Sequence, residues 1–343
     1  MTGAIAQVGF GYWGPNLARN LNALVGERWR YLVELSAERQ EKASALYPTT
    51  KVTDDFDAVL ADPDVSAVII STPAATHAPL ARRCLDAGKH VFVEKPLALS
   101  IDDAASLAQT ADQRGLILMV GHTFEFVPAV RKMKELVDEG EIGDVLYLHS
   151  QRLNLGRIQS DINAFWSIGP HDVSVANYLL GSSPEWVAAR GARYLHANIE
   201  DVMFVTVGYP SGVMAHMHVS WLDPSKTRRT TVVGSKKMLV YDDMDAEAKL
   251  KIFDKGADRL EADAYGAWQY RLRDGAMSVP SLAMIEPLSA ELQHFVDCVD
   301  AGTRPEVDGW SGVRTVAVLE AVDRSLRADG QQVAVRSLMG LSR

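Results

Sequence analysis

The first third of the chain alternates short apolar runs with amphipathic stretches. Ala4–Val8 is an apolar run of strand length, and residues 16–24 follow with helical spacing. Tyr31-Leu32-Val33 makes a second strand. Residues 38–47 read as a helix and residues 55–60 as a shorter one. Val65–Ile70 is a β-branched strand that ends at Ser71-Thr72-Pro73. Residues 78–87 form the next helix, closed by Gly88, and residues 90–93 form another strand. Ser100 caps a helix over residues 101–113, with Asp102 and Asp103 in its first turn, where the helix dipole favours them. Residues 116–120 close the series as its last strand, ending at Gly121-His122. This alternation predicts an α/β domain over residues 1–122, a doubly wound parallel sheet of Rossmann type.

The pattern changes after His122. Pro128–Asp138 is an amphipathic helix that stops near Gly140. Strand-like runs then cover residues 145–152, 186–194, 202–209, 213–221, 228–233 and 236–241. Pro210-Ser211-Gly212 reads as a hairpin turn between two of them. Consecutive strands with short turns predict a large, mostly antiparallel open sheet. Residues 123–343 are therefore expected to form a second, α+β domain for substrate binding and oligomerisation. Residues 153–170 make a connection too long to be only a connection. Helices are expected over 172–180, 289–300 and 311–328, while residues 265–287 fit no pattern. Along 213–219, Val213, Ala215, Met217 and Val219 share one face, and Met214, His216 and His218 share the other. Helices would cover one side of this sheet. The other side is expected to meet a second copy, giving a homodimer or homotetramer.

Composition narrows the function class. A chain of 343 residues suits two domains, and its net charge of −9 argues against nucleic acid or an anionic membrane as partner. An anionic ligand would need a local basic group. The two cysteines, Cys84 and Cys298, point to a reducing compartment without a disulfide framework. No apolar run approaches the roughly 18 to 20 residues of a membrane span. Met1-Thr2-Gly3 passes directly into a strand, which leaves no room for a signal peptide. A cytoplasmic protein is expected.

Gly9-Phe10-Gly11-Tyr12-Trp13-Gly14 lies between a strand and a helix, the setting in which GxGxxG binds a dinucleotide. The first glycine permits a tight turn, the second lets backbone approach a pyrophosphate, and the third lets helix pack on strand. Glu34 ends the second strand, where an acid accepts bonds from the adenine-ribose diol and repels a 2′-phosphate. That favours NAD, with nearby Arg39 keeping NADP open as an alternative. The chain is organised around Val91-Phe92-Val93-Glu94-Lys95-Pro96. A lysine at the carboxyl end of a parallel strand points into the crevice where such sheets bind ligands. Its ammonium titrates readily when desolvated.

These motifs, with Thr72-Pro73, His77, Gly88-Lys89-His90 and Gly121-His122, resemble the glucose–fructose oxidoreductase / inositol dehydrogenase / MocA family over nearly the whole chain. The resemblance implies that Lys95 contacts the nicotinamide ribose and the reacting hydroxyl, before a proline that is often cis. It implies a general base at His171, within Trp166-Ser167-Ile168-Gly169-Pro170-His171-Asp172. Ser71, Thr72, Pro73, His77, Glu94 and His122 join the glycine loop as cofactor-facing residues. Many members carry an aspartate four residues before that histidine; Ser167 stands there here. Asp172 is a poor substitute, since adjacent helical residues face different ways.

Hydride removal from a secondary alcohol also requires removal of the hydroxyl proton, which suits a histidine poised near neutral pH. No second cluster supports a metal at His171-Asp172, so none is expected. Residues 11–20 and Arg152-Leu153-Asn154-Leu155-Gly156 are similar to members that oxidise the 3-hydroxyl of a UDP-N-acetylhexosamine or its uronate. Lys95, Arg152, Asn154, Arg157, Asn163, Trp166, His171 and Asp172 are then the expected substrate set, the arginines suited to phosphate or carboxylate. The favoured function is an NAD-dependent sugar dehydrogenase. The alternatives are an inositol or polyol dehydrogenase, a ketosugar reductase, and a non-catalytic NAD sensor or scaffold.

Overall fold

The structure, a computed structural model, describes residues 3–259 and 270–337. The chain begins with β1 (Ala4–Val8), α1 (Gly14–Val25), β2 (Trp29–Val33), α2 (Ala37–Leu46), β3 (Lys51–Thr53) and α3 (Phe56–Ala61). It continues with β4 (Val65–Ile70), α4 (His77–Asp86), β5 (His90–Glu94), α5 (Ile101–Arg114) and β6 (Leu118–Gly121). The six strands are all parallel, in the order β3-β2-β1-β4-β5-β6. This is the doubly wound order, and the strand order reverses between β1 and β4. Every residue of β1 is buried, as helices on both faces require. Ser100 caps α5 by accepting from the Asp103 amide at 3.1 Å, and Gly115 closes it in the left-handed region. The strand that pattern reading left unnamed is β3. Three residues at a sheet edge, one exposed and two half-buried, carry too little periodicity to be seen.

The second sheet follows: α6 (Pro128–Asp138), β7 (Val145–Leu153), α7 (Ala164–Ile168), α8 (Pro170–Leu180), β8 (Trp186–Ala192), β9 (Val202–Gly208) and β10 (Met214–Ser220). Then come β11 (Thr227–Gly234), β12 (Met238–Asp242), β13 (Leu250–Arg259), β14 (Tyr270–Ser278), α9 (Pro287–Ala301), α10 (Gly309–Arg327) and β15 (Val333–Ala334). Nine strands run in the order β14-β13-β12-β11-β7-β10-β9-β8-β15. The sheet is mostly antiparallel, but β7 and β10 pair in parallel, with His149 beside His216. The meander β8-β9-β10 is locally antiparallel, and β7 slots between β10 and β11. Two helices and two strands separate β7 from β10, enough chain for a crossover. Residues 153–170 are not all loop, because α7 occupies their second half. Part of the unassigned stretch 265–287 is β14, paired with β13.

Among the described residues the chain divides into two compact units. The first holds the chain up to Phe126 together with Ile285–Glu320, and the second holds Val127–Met284 with 321–337. The expectation that residues 123–343 form one domain is corrected by α9. Its stripe of Leu288, Leu292, Phe295 and Val296 is buried in one cluster with Ile5, Leu17 and Phe92. The Phe92 and Phe295 rings meet edge to face at 5.7 Å. Arg28 grips Asp300 with two bonds, at 2.9 and 2.7 Å. Phe295→Ala should therefore cost the first unit about 3–5 kcal/mol. Hydrogen exchange should show the loss in β1, β5 and α9 alike; protection lost from α9 alone would refute its place in this core.

Candidate active site

In the first unit the glycine loop is built around backbone proximity. Gly9 lies at φ +100°, and a Cβ there would meet the Ser71 carbonyl oxygen at 2.6 Å. A Cβ on Gly14 would meet the Gly9 oxygen at 2.5 Å. Each holds a close crossing that no side chain permits. At Gly11, by contrast, a Cβ would face only the Arg39 guanidinium, at 3.7 Å. The loop is thus an open cradle of the kind a pyrophosphate fills, beside the start of α1, whose first amides have no side-chain cap. Gln7, fully buried, ties the cradle by donating to the carbonyls of Gly9 and Gly14 at 2.9 and 3.0 Å. Tyr12 is exposed on this loop, and the Trp13 side chain donates to Glu94.

Glu34 is buried and is already engaged. Its Oε2 accepts from the Phe10 amide at 2.7 Å, and its Oε1 accepts from Leu35 and Ser36 at 2.9 and 3.0 Å. A carboxylate offers about four acceptor sites, so a ribose hydroxyl would find room on Oε2. Arg39 lies 3.8 Å away. The residues thus fit a dinucleotide, and they show a second role for Glu34 in fixing the glycine loop.

Ser71 donates to the Gly9 carbonyl at 3.1 Å. His77 faces two carbonyls, Pro96 through Nδ1 at 2.7 Å and Thr72 through Nε2 at 2.8 Å. It pins the two loops that bear Thr72-Pro73 and Lys95-Pro96. Burial pushes its pKa down, against the pull of both carbonyls. The Lys95–Pro96 peptide is cis. Glu94 is buried just before it, and burial lifts its pKa to about 7 although Lys95 pulls the other way. His122 is also buried; its Nε2 meets Thr315 at 3.3 Å, and burial pushes its pKa down to about 3. His122 is therefore a neutral ring in the interior.

In the second unit His171 is half-buried in the first turn of α8. Asp172 is buried and turned to Arg152, which donates from Nε at 2.8 Å and from Nη2 at 3.4 Å. Asn163 caps α7 by accepting from the Trp166 amide at 3.0 Å. Asn163 and the Trp166 indole both donate to Asp323, at 3.3 and 2.8 Å. Ser167 accepts from Gln159 at 2.7 Å. Of the expected substrate set, Arg152, Asp172, Asn163 and Trp166 are thus tied into the unit's own framework. Arg157 is exposed and Asn154 half-buried on the segment before α7. Among the described residues no group of His, Cys, Asp and Glu is arranged to hold a metal.

Sequence reading missed Asp323, Thr123 and Glu291. Glu291 left a signal: it sits three residues after Leu288, on the apolar stripe of α9, where a charged residue is out of place.

A profile described as "Oxidoreductase family, NAD-binding Rossmann fold" matches residues 4–122, and the family's C-terminal domain profile matches residues 130–240. The chain belongs to the GFO/IDH/MocA oxidoreductase family. A dTDP-3,4-didehydro-2,6-dideoxy-alpha-D-glucose 3-reductase of Streptomyces violaceoruber is 33% identical over 66% of this chain and 69% of its own. The scyllo-inositol 2-dehydrogenase (NAD(+)) of Bacillus subtilis is 27% identical over 94% of this chain and 93% of its own. The solved UDP-N-acetylglucosamine 3-dehydrogenase of Acidithiobacillus ferrooxidans is 25% identical with a TM-score of 0.81, covering 96% of this chain and all of that one (100%). The chain is an NAD-binding oxidoreductase of a family that acts on sugars and sugar alcohols.

Glu34→Ser should narrow the preference for NADH over NADPH by roughly tenfold or more, through loss of charge-assisted bonds. Fluorescence titration of both cofactors checks this; an unchanged ratio of dissociation constants would remove Glu34 from cofactor choice.

Proposed function

We propose that this protein is a dehydrogenase acting at C3 of a nucleotide-linked sugar, such as a UDP-N-acetylhexosamine or its uronate. The observation that carries this reading is that two similar proteins are named for the 3-position of a nucleotide-linked sugar. Lys95 directly follows β5, the second strand from the switch point of the sheet, so its ammonium is the group to hold the reacting oxygen. His171 takes the hydroxyl proton as general base. The nicotinamide, when bound, supplies the hydride acceptor. Ser71, Thr72, His77 and Glu94 shape the surface against which the cofactor lies. Arg157 and Asn154 meet the phosphates and sugar hydroxyls, while the Arg152–Asp172 pair holds α8, and His171 with it, against β7. A polyol reading rests on the inositol dehydrogenase, which matches over most of both chains. Incubation with NAD separates the two: NADH should form with UDP-N-acetylglucosamine or its uronate and not with scyllo- or myo-inositol, and the reverse result would install the polyol reading.

Lys95→Ala and His171→Ala should each lower kcat by about 10² to 10⁴ while NADH still binds. In sugar oxidation the base must be neutral, so kcat/KM should rise with pH through an ionisation near neutrality. His171→Asn should abolish that limb. If the variant keeps both rate and limb, the base lies elsewhere.

We also infer a homodimer or homotetramer, built on the open face of the second sheet. Phe204, Tyr147 and Met214 are exposed there, and Phe204 stacks on His218 at 4.3 Å. The opposite face of β10 buries Ala215, Met217 and Val219. A second copy would cover the aromatic face. Light scattering at micromolar concentration should find no monomer; a monomer would contradict the inference.

A further inference from the structure

Three buried polar atoms lie among the elements around Lys95 without a hydrogen-bond partner: Glu94 Oε1, Glu291 Oε1 and His122 Nδ1. Glu291 is fully buried (0% exposed) and Glu94 nearly so (8%). Both carboxyls border the end of β6. The Thr123 hydroxyl donates to Glu291 Oε2 at 2.6 Å, and a Cβ on Gly121 would reach Glu94 Oε2 at 3.1 Å. The charged groups that face this place are Lys95 beside Glu94, Glu125 beside Glu291, and Arg314 on α10 toward His122. His122 is neutral and brings no positive charge.

Two carboxylates that repel each other out of water do not both ionise. The one with better partners keeps the charge. Glu94 has the Lys95 ammonium, the Lys95 amide and the Trp13 side chain. Glu291 has one hydroxyl donor and two neighbouring acids, and burial with the Glu94 charge drives its pKa well up.

We propose that Glu291 is a positioning residue for Lys95: it stays protonated and donates from Oε1 to Glu94 Oε1, leaving Glu94 as the carboxylate that faces the ammonium. One proton thereby gives both unpartnered carboxyl oxygens a partner. Burial lifts the Glu94 pKa to about 7, and a donated bond favours the charged form, so the bond bears on whether Lys95 has its counter-charge at neutral pH. The inference takes the role of Lys95 from the proposed function, but its test reads the carboxyls directly.

Infrared spectra of the whole protein, recorded from pH 5 to 9, follow the carbonyl stretch of the protonated acid and the carboxylate bands. Glu291→Gln should lose a protonated-acid band at pH 7, with no loss of carboxylate. In that variant the amide still donates, so Glu94, assigned with Glu94→Gln, should ionise at the same pH as in the wild type. In Glu291→Leu the donor is gone, and the Glu94 ionisation should move up by about one pH unit. A carboxylate band lost at pH 7 in Glu291→Gln overturns the proposal, as does a Leu variant that titrates with the Gln variant. If the Leu variant fails to fold by circular dichroism, the melting temperature of Glu291→Gln serves instead. A buried acid with a raised pKa loses stability as pH climbs above the ordinary carboxylate range. The Gln variant should therefore gain on the wild type from pH 5 to 9, and a flat or falling difference overturns the proposal. An active Lys95→Ala enzyme would refute the role given to Lys95 without touching any of these readings.

Discussion

Charge taken out of water must find a partner or be given up, and this constraint shapes both units around the residues that carry chemistry. In the second unit the solution is pairing. Asp172 is buried one residue after His171, and Arg152 meets it with two bonds. Breaking such a pair costs more than the pair contributes, so Arg152 and Asp172 are bound to the framework, even though an arginine suits a phosphate and an aspartate suits sugar hydroxyls. In the first unit Glu94, Glu125 and Glu291 are all buried, and the Lys95 ammonium lies beside Glu94. There the solution is a retained proton.

The second constraint is close backbone approach. Gly9 and Gly14 leave no space for a side chain, because Ser71 and Gly9 oxygens occupy it. Gln7 and Glu34 then fix the loop through its carbonyls and the Phe10 amide. A loop held from two sides presents its free amides at a defined place without paying ordering entropy when a phosphate arrives. The acid that would read the ribose also holds the loop that would receive the pyrophosphate.

Legibility in the sequence followed the strength of each local signal. The parallel sheet was readable because buried strands are uninterrupted apolar runs and the helices between them carry caps such as Ser100. Its edge strand β3 was not, being three residues long, one exposed and two half-buried. The hairpin of β13 and β14 escaped for a related reason: β14 is exposed along most of its length, so no apolar alternation marks it. The parallel pairing of β7 with β10 depends on which distant strand inserts where, which no local pattern records. Periodicity saw α9 as a helix, but placed it with the second domain because only tertiary packing against Phe92 returns it to the first.

The same distinction separates the candidate residues whose placement was readable from those whose placement was not. Lys95 and the glycine loop sit at strand ends, where sequence position determines which way a residue points. Asn163 and Trp166 were read as sugar contacts because residue type was all that was visible, and their engagement with Asp323 lies 157 or more residues away along the chain. Glu291 shows that the opposite inference is available. A carboxyl in the apolar stripe of a helix violates local expectation, and such violations are tolerated where something is gained elsewhere. Here the helix that violates it is the one returned to the first unit, whose strand β5 ends at Glu94, just before Lys95. The helix that completes the core of the cofactor-binding unit thus also carries the acid that adjusts its charge.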